Sequence, residues 1–556
     1  MAEQYASATE ADAPLGDRGN WLGFIAAREH SLIGVAIALA AVAFVVVNCI
    51  GLSDPGLQYD ELLFVNGALG ANHAYHGFIY SEVLGIPTML MPYIGALKAW
   101  LYAPIFSIFG VSVDTVRIPA ILMAGTALTI AAVVVARIFG RWPALVLAAL
   151  LASDPVYGAV SRADWGPIVI SALLRCTALL FYFQFVRRGS ARYLWLLVLA
   201  LSLGLFNKLD YVWFIVALSI AAPAVHGRRL LEIARAGWVA ATAPIVTFAL
   251  IFVAAFFDLI LPATRLPISA SHLSVTGRIH EVIHLFWITM DGSGVFLYMT
   301  GSQIPHPTLI KTVFPFVLVA CLGIAIANVS VGRRFDAESR LRKRAAATTF
   351  FLILFVVMAI GIDVTRQATG PHHIMLLWPL PAVLSVCVLA TAAALPVSLR
   401  WPAVAVVGIA LALLVVTQMR ATSDYVRAYR YDRSWSAIWT PEIYAASHAV
   451  EKSAPEVESV ITTDWGLGNQ IYALGNEAVR DRFNDPWGTF VNPAATDAQL
   501  EREWFTGKRV IVVFHTAAGG IMPRTNQRVE AILKSLGTRA RPIYVGRQIV
   551  ADLVVP

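Results

Sequence analysis

Asp60 and Glu61 stand side by side in the segment GLSDPGLQYDELLFVNG (51–67), directly after the apolar run 31–52. Two adjacent carboxylates at the edge of an apolar run cost desolvation energy. They point to a polar cavity that uses their charge, and the plain alternative is an ordinary solvated loop. A second group spells a motif: His280-Glu281-Val282-Ile283-His284 is a literal H-E-x-x-H. On a helix this spacing puts two imidazoles on one face, with the glutamate beside a zinc-bound water, which is metalloprotease chemistry. No third ligand is convincing, since Asp291 or His306 would have to serve. The plain alternative is an amphipathic interfacial helix with its histidines on the wet face.

The elements that must position these residues follow from composition. Hydrophobic residues make up 58% of the 556 and charged residues 14%, against about 45–50% and about 25% in soluble domains. With a mean hydropathy of +0.68, the class is a polytopic membrane protein, and its length allows a helical bundle plus a further domain. Residues 1–30 read as a polar, cytoplasmic N-terminal tail. The run after it is too long for a signal-peptide core and reads as an uncleaved anchor. Cys49, Cys176, Cys321 and Cys387 all fall in or beside apolar runs and read as small core hydrophobes.

About eleven spans are expected, at 31–52, 116–136, 142–159, 167–186, 192–207, 211–225, 237–257, 309–331, 346–362, 374–395 and 401–419. The run Pro92–Gly110 is broken by Lys98 and two prolines and reads as a helix lying at the interface. With the N-terminus inside, the inner loops hold Arg137, Arg141, Arg187, Arg188, Arg192, Arg228, Arg229, Arg235, Arg400 and the cluster 333–344. The outer loops hold fewer basic residues: Lys98, Arg117, Arg162, Lys208, Arg265, Arg278, Lys311 and Arg366. That asymmetry fits the positive-inside rule. From about 424 the chain turns polar, with β-like runs at 459–464, 509–515, 541–546 and 548–555 and helical stretches near 440–452 and 524–536. The expected fold is mainly α: a transmembrane bundle over 31–420 and a small α/β domain over 424–556 on the outer, periplasmic side.

On this topology the polar clusters near span ends gather on the outer face. They are Asp60-Glu61, Ser161 to Pro167 with Arg162 and Asp164, Asn207-Lys208-Leu209-Asp210, Gln303 to Pro307 with His306, and Arg366 to His373 with His372. One outward-facing site would produce such convergence. The alternative is that longer outer loops simply collect polar residues. Arg175 falls halfway along the fourth span and needs a partner that the sequence does not name. A transporter finds no support, for the chain has no repeat and no matched broken helices. Nothing points to nucleic acid.

Several pieces, in this order, resemble the GT-C-type glycosyltransferases. They are the acidic pair, Gly85-Ile-Pro through Ile105-Phe-Ser-Ile-Phe-Gly-Val-Ser-Val-Asp-Thr-Val-Arg-Ile-Pro119, Arg137-Ile-Phe-Gly-Arg141, Ser153-Asp-Pro155 before Asp164, Asn207-Lys208, and Pro371-His-His-Ile-Met-Leu-Leu-Trp-Pro-Leu-Pro381. The pattern is similar to lipid A aminoarabinose transferases, protein mannosyltransferases and lipopolysaccharide-core transferases, over most of 31–395. The resemblance implies a polyprenyl-phosphate-linked sugar donor and a glycolipid or polysaccharide acceptor. It also implies an active site on the periplasmic face of a bacterial inner membrane. Inverting transfer needs a base to take the acceptor's hydroxyl proton. Asp60 matches the family's base position, Glu61 would orient or bind, and Asp164 is a second acidic candidate. The lipid phosphate needs cations, for which Arg162, Lys208, Arg366, His372 and His373 are placed. Asp210, Gln303 and His306 complete the binding candidates. Trp165 and Trp378 are candidates to stack on a sugar, or are interfacial anchors. Leu-Leu-Phe follows the acidic pair where the aminoarabinose transferases are more polar, which leaves the sugar open. No cofactor is certain. Relatives differ on a divalent metal, and the chain shows no complete ligand set.

Overall fold

In hydrocarbon a chain must satisfy its backbone within each segment, so long apolar runs fold as helices. The computed structural model describes residues 18–70, 79–255, 257, 274–330, 339–365, 370–432, 435–517, 520 and 522–556. In chain order it begins with α1 (Arg18–Asn48) and α2 (Tyr59–Ala68). A small antiparallel sheet follows, made of β1 (Ser81–Val83), β2 (Ile86–Met91) and β3 (Ile94–Gly95). Next come α3 (Leu97–Phe109), α4 (Val113–Phe139), α5 (Arg141–Ala152), α6 (Pro155–Ala163), α7 (Ile168–Arg188), α8 (Ala191–Asn207) and α9 (Val212–Ala255). The bundle continues with α10 (Val275–Met290), α11 (Ser293–Thr300), α12 (Ile310–Ser330), α13 (Arg340–Thr365), a short turn Pro371–Ile374, α14 (Leu380–Ala392) and α15 (Val397–Arg427).

Among the described residues seven helical segments are long and apolar enough to cross a membrane: Val113–Phe139, Ile168–Arg188, Leu209–Gly237, Ile310–Ser330, Arg340–Thr365, Pro371–Ala392 and Val397–Asp432. The pair α5–α6, bent by 60°, and the shorter apolar helices Leu32–Asn48, Ala191–Asn207 and Thr242–Ala255 fill the other four expected positions. The helix α9 is 44 residues long and breaks at Gly237, so the stretch 226–236, which reads as an inner loop in the sequence, is helical. At 13 residues, α3 is too short to cross. The pair α10–α11 is bent by 79°. One contiguous core joins Phe44, Leu128, Tyr157, Trp165, Phe350 and Leu384 to Trp435 and Trp439 of the segment after α15. Large apolar side chains such as Leu39, Phe316, Val319 and Val406 stand exposed on α1, α12 and α15, as lipid-facing surfaces require.

The C-terminal domain holds α16 (Glu442–Ser453), β4 (Ser459–Thr462), α17 (Gly468–Leu474), β5 (Phe483–Asn484), α18 (Asp497–Trp504), β6 (Val510–His515), α19 (Pro523–Leu536), β7 (Ala540–Val545) and β8 (Ile549–Val554). Its five strands run in the order β5-β4-β6-β8-β7, the first three parallel and β8 and β7 antiparallel. Ile443, Val450 and Ile471 cover one face, and Leu500, Val529 and Leu533 the other. The four runs read as β-like are strands. β5 has only two residues and leaves no alternation to read, and the β1–β3 sheet was likewise not anticipated.

The loop before α2 is sewn to the segment leading into this domain. Gly56 N donates to the Trp439 carbonyl at 2.7 Å, and a Cβ at Gly56 would overlap the Thr440 carbonyl. We expect Gly56→Ala to destabilise the protein by about 1–3 kcal/mol through overpacking, read as a lower thermal midpoint in detergent. An unchanged midpoint would show that this junction yields easily.

Candidate active site

The loop Ser53–Gln58 and the first turn of α2 are fixed from behind by two buried arginines. Arg117, on α4, holds Glu61 with both carboxylate oxygens (Nε 3.1 and 3.0 Å, Nη2 2.9 Å). Its remaining donors reach the carbonyls of Leu52 (2.5 Å), Pro55 (2.7 Å) and Gly56 (3.0 Å). Arg162, on α6, donates to the carbonyls of Asn48 (2.9 Å), Ile50 (2.7 Å), Asp54 (2.6 Å) and Gly51, and lies over the Tyr429 ring. A guanidinium has five fixed donors: all three nitrogens of Arg117 bond Glu61 or loop carbonyls, and both terminal nitrogens of Arg162 bond loop carbonyls, while its buried Nε finds no partner among the described residues.

Asp60 is the next residue along. Its N–H donates to the Gln58 side chain at 2.7 Å, which caps α2. Its Oδ2 accepts from Trp165 Nε1 at 3.2 Å. Burial pushes the Asp60 carboxyl above the usual carboxylate range, opposed by the bond from Trp165, the neighbouring Gln58 side chain and the charge of Lys208. Trp165 is set by the turn between α6 and α7. Asp164 takes the left-handed conformation (φ 39°) and Gly166 follows at φ 73°. Glycine suits Gly166 on a second count, for a Cβ there would stand 3.3 Å from His372. The Trp165 ring lies against Tyr298 (4.5 Å, 18°) and His372 (4.5 Å, 34°), with Trp439 edge-on at 5.9 Å. The His373 ring is 4.1 Å from that of His372.

Lys208 ends α8 and pairs with Asp210 at 3.1 Å. Lys208, Asp210, His372, Ser171 and Arg175 line a small cavity beside Gly166. Arg175 donates to the carbonyls of Met375 (3.2 Å) and Trp378 (3.3 Å), in the break between Ile374 and α14. These carbonyls are the partner that the sequence did not name. Behind Trp165, Asp164 pairs with Lys98 at 2.5 Å, both side chains buried, and the Lys98 ammonium sits 4.6 Å from the Phe64 ring centroid.

Of the candidates read from sequence, Asp60, Lys208, Asp210, His372 and His373 gather around Trp165 and this cavity. Asp164 adjoins them but faces Lys98. Glu61 and Arg162 face the loop instead of the cavity, since their polar groups are held there. His306 pairs with Asp424 at 3.1 Å, and Gln303 is exposed on the same loop. Arg366 lies outside the described residues. His280, Glu281 and His284 are exposed on α10. Among the described residues no group of three or more His, Cys, Asp or Glu side chains is arranged to hold a metal ion, so nothing here favours the protease chemistry. In the sequence Lys98 reads as a break in an apolar run and an outer charge, and Arg117 as an outer charge. A lone cation inside an apolar stretch was the available signal for both.

The fold is that of the GT-C-type membrane glycosyltransferases. The model of the family described as dolichyl-phosphate-mannose-protein mannosyltransferase matches residues 95–256. This stretch includes Lys98, Arg117, Asp164 and Lys208 but begins after Asp60. The structure is similar to ArnT from Cupriavidus metallidurans in the apo state, with 14% identity over 95% of this chain and 98% of that chain and a TM-score of 0.54. It is also similar to the archaeal oligosaccharyltransferase AglB from Archaeoglobus fulgidus in complex with an inhibitory peptide and a dolichol-phosphate. That likeness has 10% identity over 91% of this chain and 72% of that chain, with a TM-score of 0.53. No curated protein matches the sequence.

Removing one partner of a buried ion pair leaves the other charge uncompensated, at a cost of about 3–5 kcal/mol. We therefore expect Arg117→Ala to lower the thermal midpoint and yield sharply, whereas His284→Ala should leave both unchanged. An Arg117→Ala protein as stable as the parent would remove the clamp from the account.

Proposed function

We propose that the chain is an integral-membrane glycosyltransferase that moves a sugar from a polyprenyl-phosphate carrier to an acceptor hydroxyl at the outer face of the membrane. Asp60 is the base. Among the described residues every other carboxylate near the cavity is ion-paired: Glu61 with Arg117, Asp164 with Lys98 and Asp210 with Lys208. Among the described residues the Asp60 carboxylate accepts from one neutral donor, Trp165 Nε1, and stands in no ion pair. That contrast is the single observation carrying the reading. The shared fold and the dolichol-phosphate held by AglB support the class of donor.

In this reaction the acceptor oxygen attacks the anomeric carbon while Asp60 takes its proton. The bond from the anomeric carbon to the phosphate oxygen breaks, and its electron pair leaves on the lipid phosphate. The sugar inverts. Lys208, whose charge acts on Asp60, is suited to meet the leaving phosphate, with His372 and His373 as neighbouring donors. Arg366 is assigned here by sequence position alone. Lys98, held by Asp164, supplies a second buried ammonium. The Trp165 ring offers an apolar face beside the base. A groove of about 500 Å³ opens between the first outer loop and the C-terminal domain, lined by Ser53, Asp54, Trp435, Tyr444 and Arg547, and would admit the acceptor.

Loss of a general base costs about 10²–10⁴ in rate. Asp60→Asn should lose turnover on that scale in folded protein while still binding polyprenyl phosphate. A base works deprotonated, so activity should fall as pH drops through the Asp60 pKa. Burial raises that pKa, so the acid limb should lie above the ordinary value of about 3.9. Asp60→Asn with parental turnover would pass the role to Asp164. On the orientation proposed, a phosphatase active only in the periplasm should work when fused after Pro556 and fail when fused after Gly189. The reverse would turn the site toward the cytoplasm.

A further inference from the structure

The segment Asp464-Trp-Gly-Leu-Gly-Asn-Gln470 leaves β4, enters α17 and meets the helix that carries Asp60. Asn469 Nδ2 donates to the Tyr59 carbonyl at 3.0 Å. In return Asn66 Nδ2 donates to the Asn469 carbonyl (3.2 Å) and to its Oδ1 (3.1 Å). Both asparagines are fully buried, where a hydrogen bond left unmade is costly. The Trp465 ring lies 5.0 Å from that of Tyr59. Tyr59 and Asn66 sit near opposite ends of α2, so the C-terminal domain grips this helix at both ends across some 400 residues of sequence (403 between Asn66 and Asn469). The loop is anchored on its own side too. Asp464 Oδ2 bonds His515 Nδ1 at 2.8 Å, buried at the end of β6. Gly468 packs directly on the Asp485 carboxylate. A ten-residue helix is too short to hold its own shape or direction.

We infer that this loop is a positioning element for catalysis: Asn469, with Trp465, sets α2 and thereby aims the Asp60 carboxylate. The inference rests on Asp60 being the base. Neither Asn469 nor Trp465 touches a reacting atom. They act through the helix, and a base displaced by about 1 Å can lose about 10²-fold in rate.

The test uses full-length protein in detergent. Lipid extract from cells lacking the gene supplies the unused donor, membranes of those cells supply the acceptor, and product is read by mass spectrometry. Asn469→Ala should lower kcat at least about tenfold, leave the apparent KM for the extract within about twofold, and still be stabilised thermally by polyprenyl phosphate. Asn66→Ala should behave alike. The double variant should be no worse than either single one, because both break the same joint. Leu533→Ala, in the core on the far face of the sheet, should lose thermal stability but keep kcat. The inference is overturned by parental kcat in Asn469→Ala beside a dead Asp60→Asn. It is also overturned if Leu533→Ala lowers kcat as much, or if Asn469→Ala no longer responds to polyprenyl phosphate, which would mark a merely structural joint. Parental turnover in Asp60→Asn would overturn the base assignment first and this inference with it, and is distinguishable because it appears in a different variant.

Discussion

The end of the bundle beside the C-terminal domain depends on the guanidinium of Arg117. With no exposure to solvent, it must meet a carboxylate and carbonyls or destabilise the fold. It finds Glu61 and the carbonyls of Leu52, Pro55 and Gly56, and so ties α4 to the loop between α1 and α2. Arg162 repeats the device on Asn48 to Asp54. Once this loop is fixed, α2 can begin only where it does. Of two adjacent carboxylates Glu61 turns into the clamp, and Asp60 turns to the Trp165 N–H.

The same economy orders the charges around Asp60. Lys98 and Lys208 each have a carboxylate of their own, so two buried basic side chains are held in place beside Asp60 by ion pairs. A lipid phosphate brought beside them would find positive charge already in place, the arrangement that stabilises a leaving group without reorganisation. Trp165, stacked on Tyr298 and edge-on to Trp439, stands beside Asp60, whose burial raises its affinity for a proton while the bond from Trp165 opposes that rise. The small cavity beside Gly166 lies between Lys208 and Arg175, whose charge is neutralised by no carboxylate in the bonds it makes there.

Much of the fold was legible in the chain because hydrophobic length is a coarse signal. The apolar runs mark the helices. The β-like runs of the tail are strands. The site was legible as a set of outer polar clusters, but not in its division of labour. Asp60 and Glu61 differ by one residue in sequence, and only the position of Arg117 separates them. Arg162 looks like any outer cation until its four carbonyl partners are seen. The joint between Asn66 and Asn469 spans two domains and leaves no periodic trace, and the β1–β3 sheet is too short and mixed to alternate.

The most direct test of the central claim, transfer of a sugar from a lipid carrier, is mass spectrometry of envelope lipids and polysaccharides from cells with and without the gene. The account predicts that deletion removes one sugar from one envelope component while a polyprenyl-phosphate sugar of the same mass accumulates. An envelope unchanged in every glycoconjugate, with no such carrier accumulating, would contradict it.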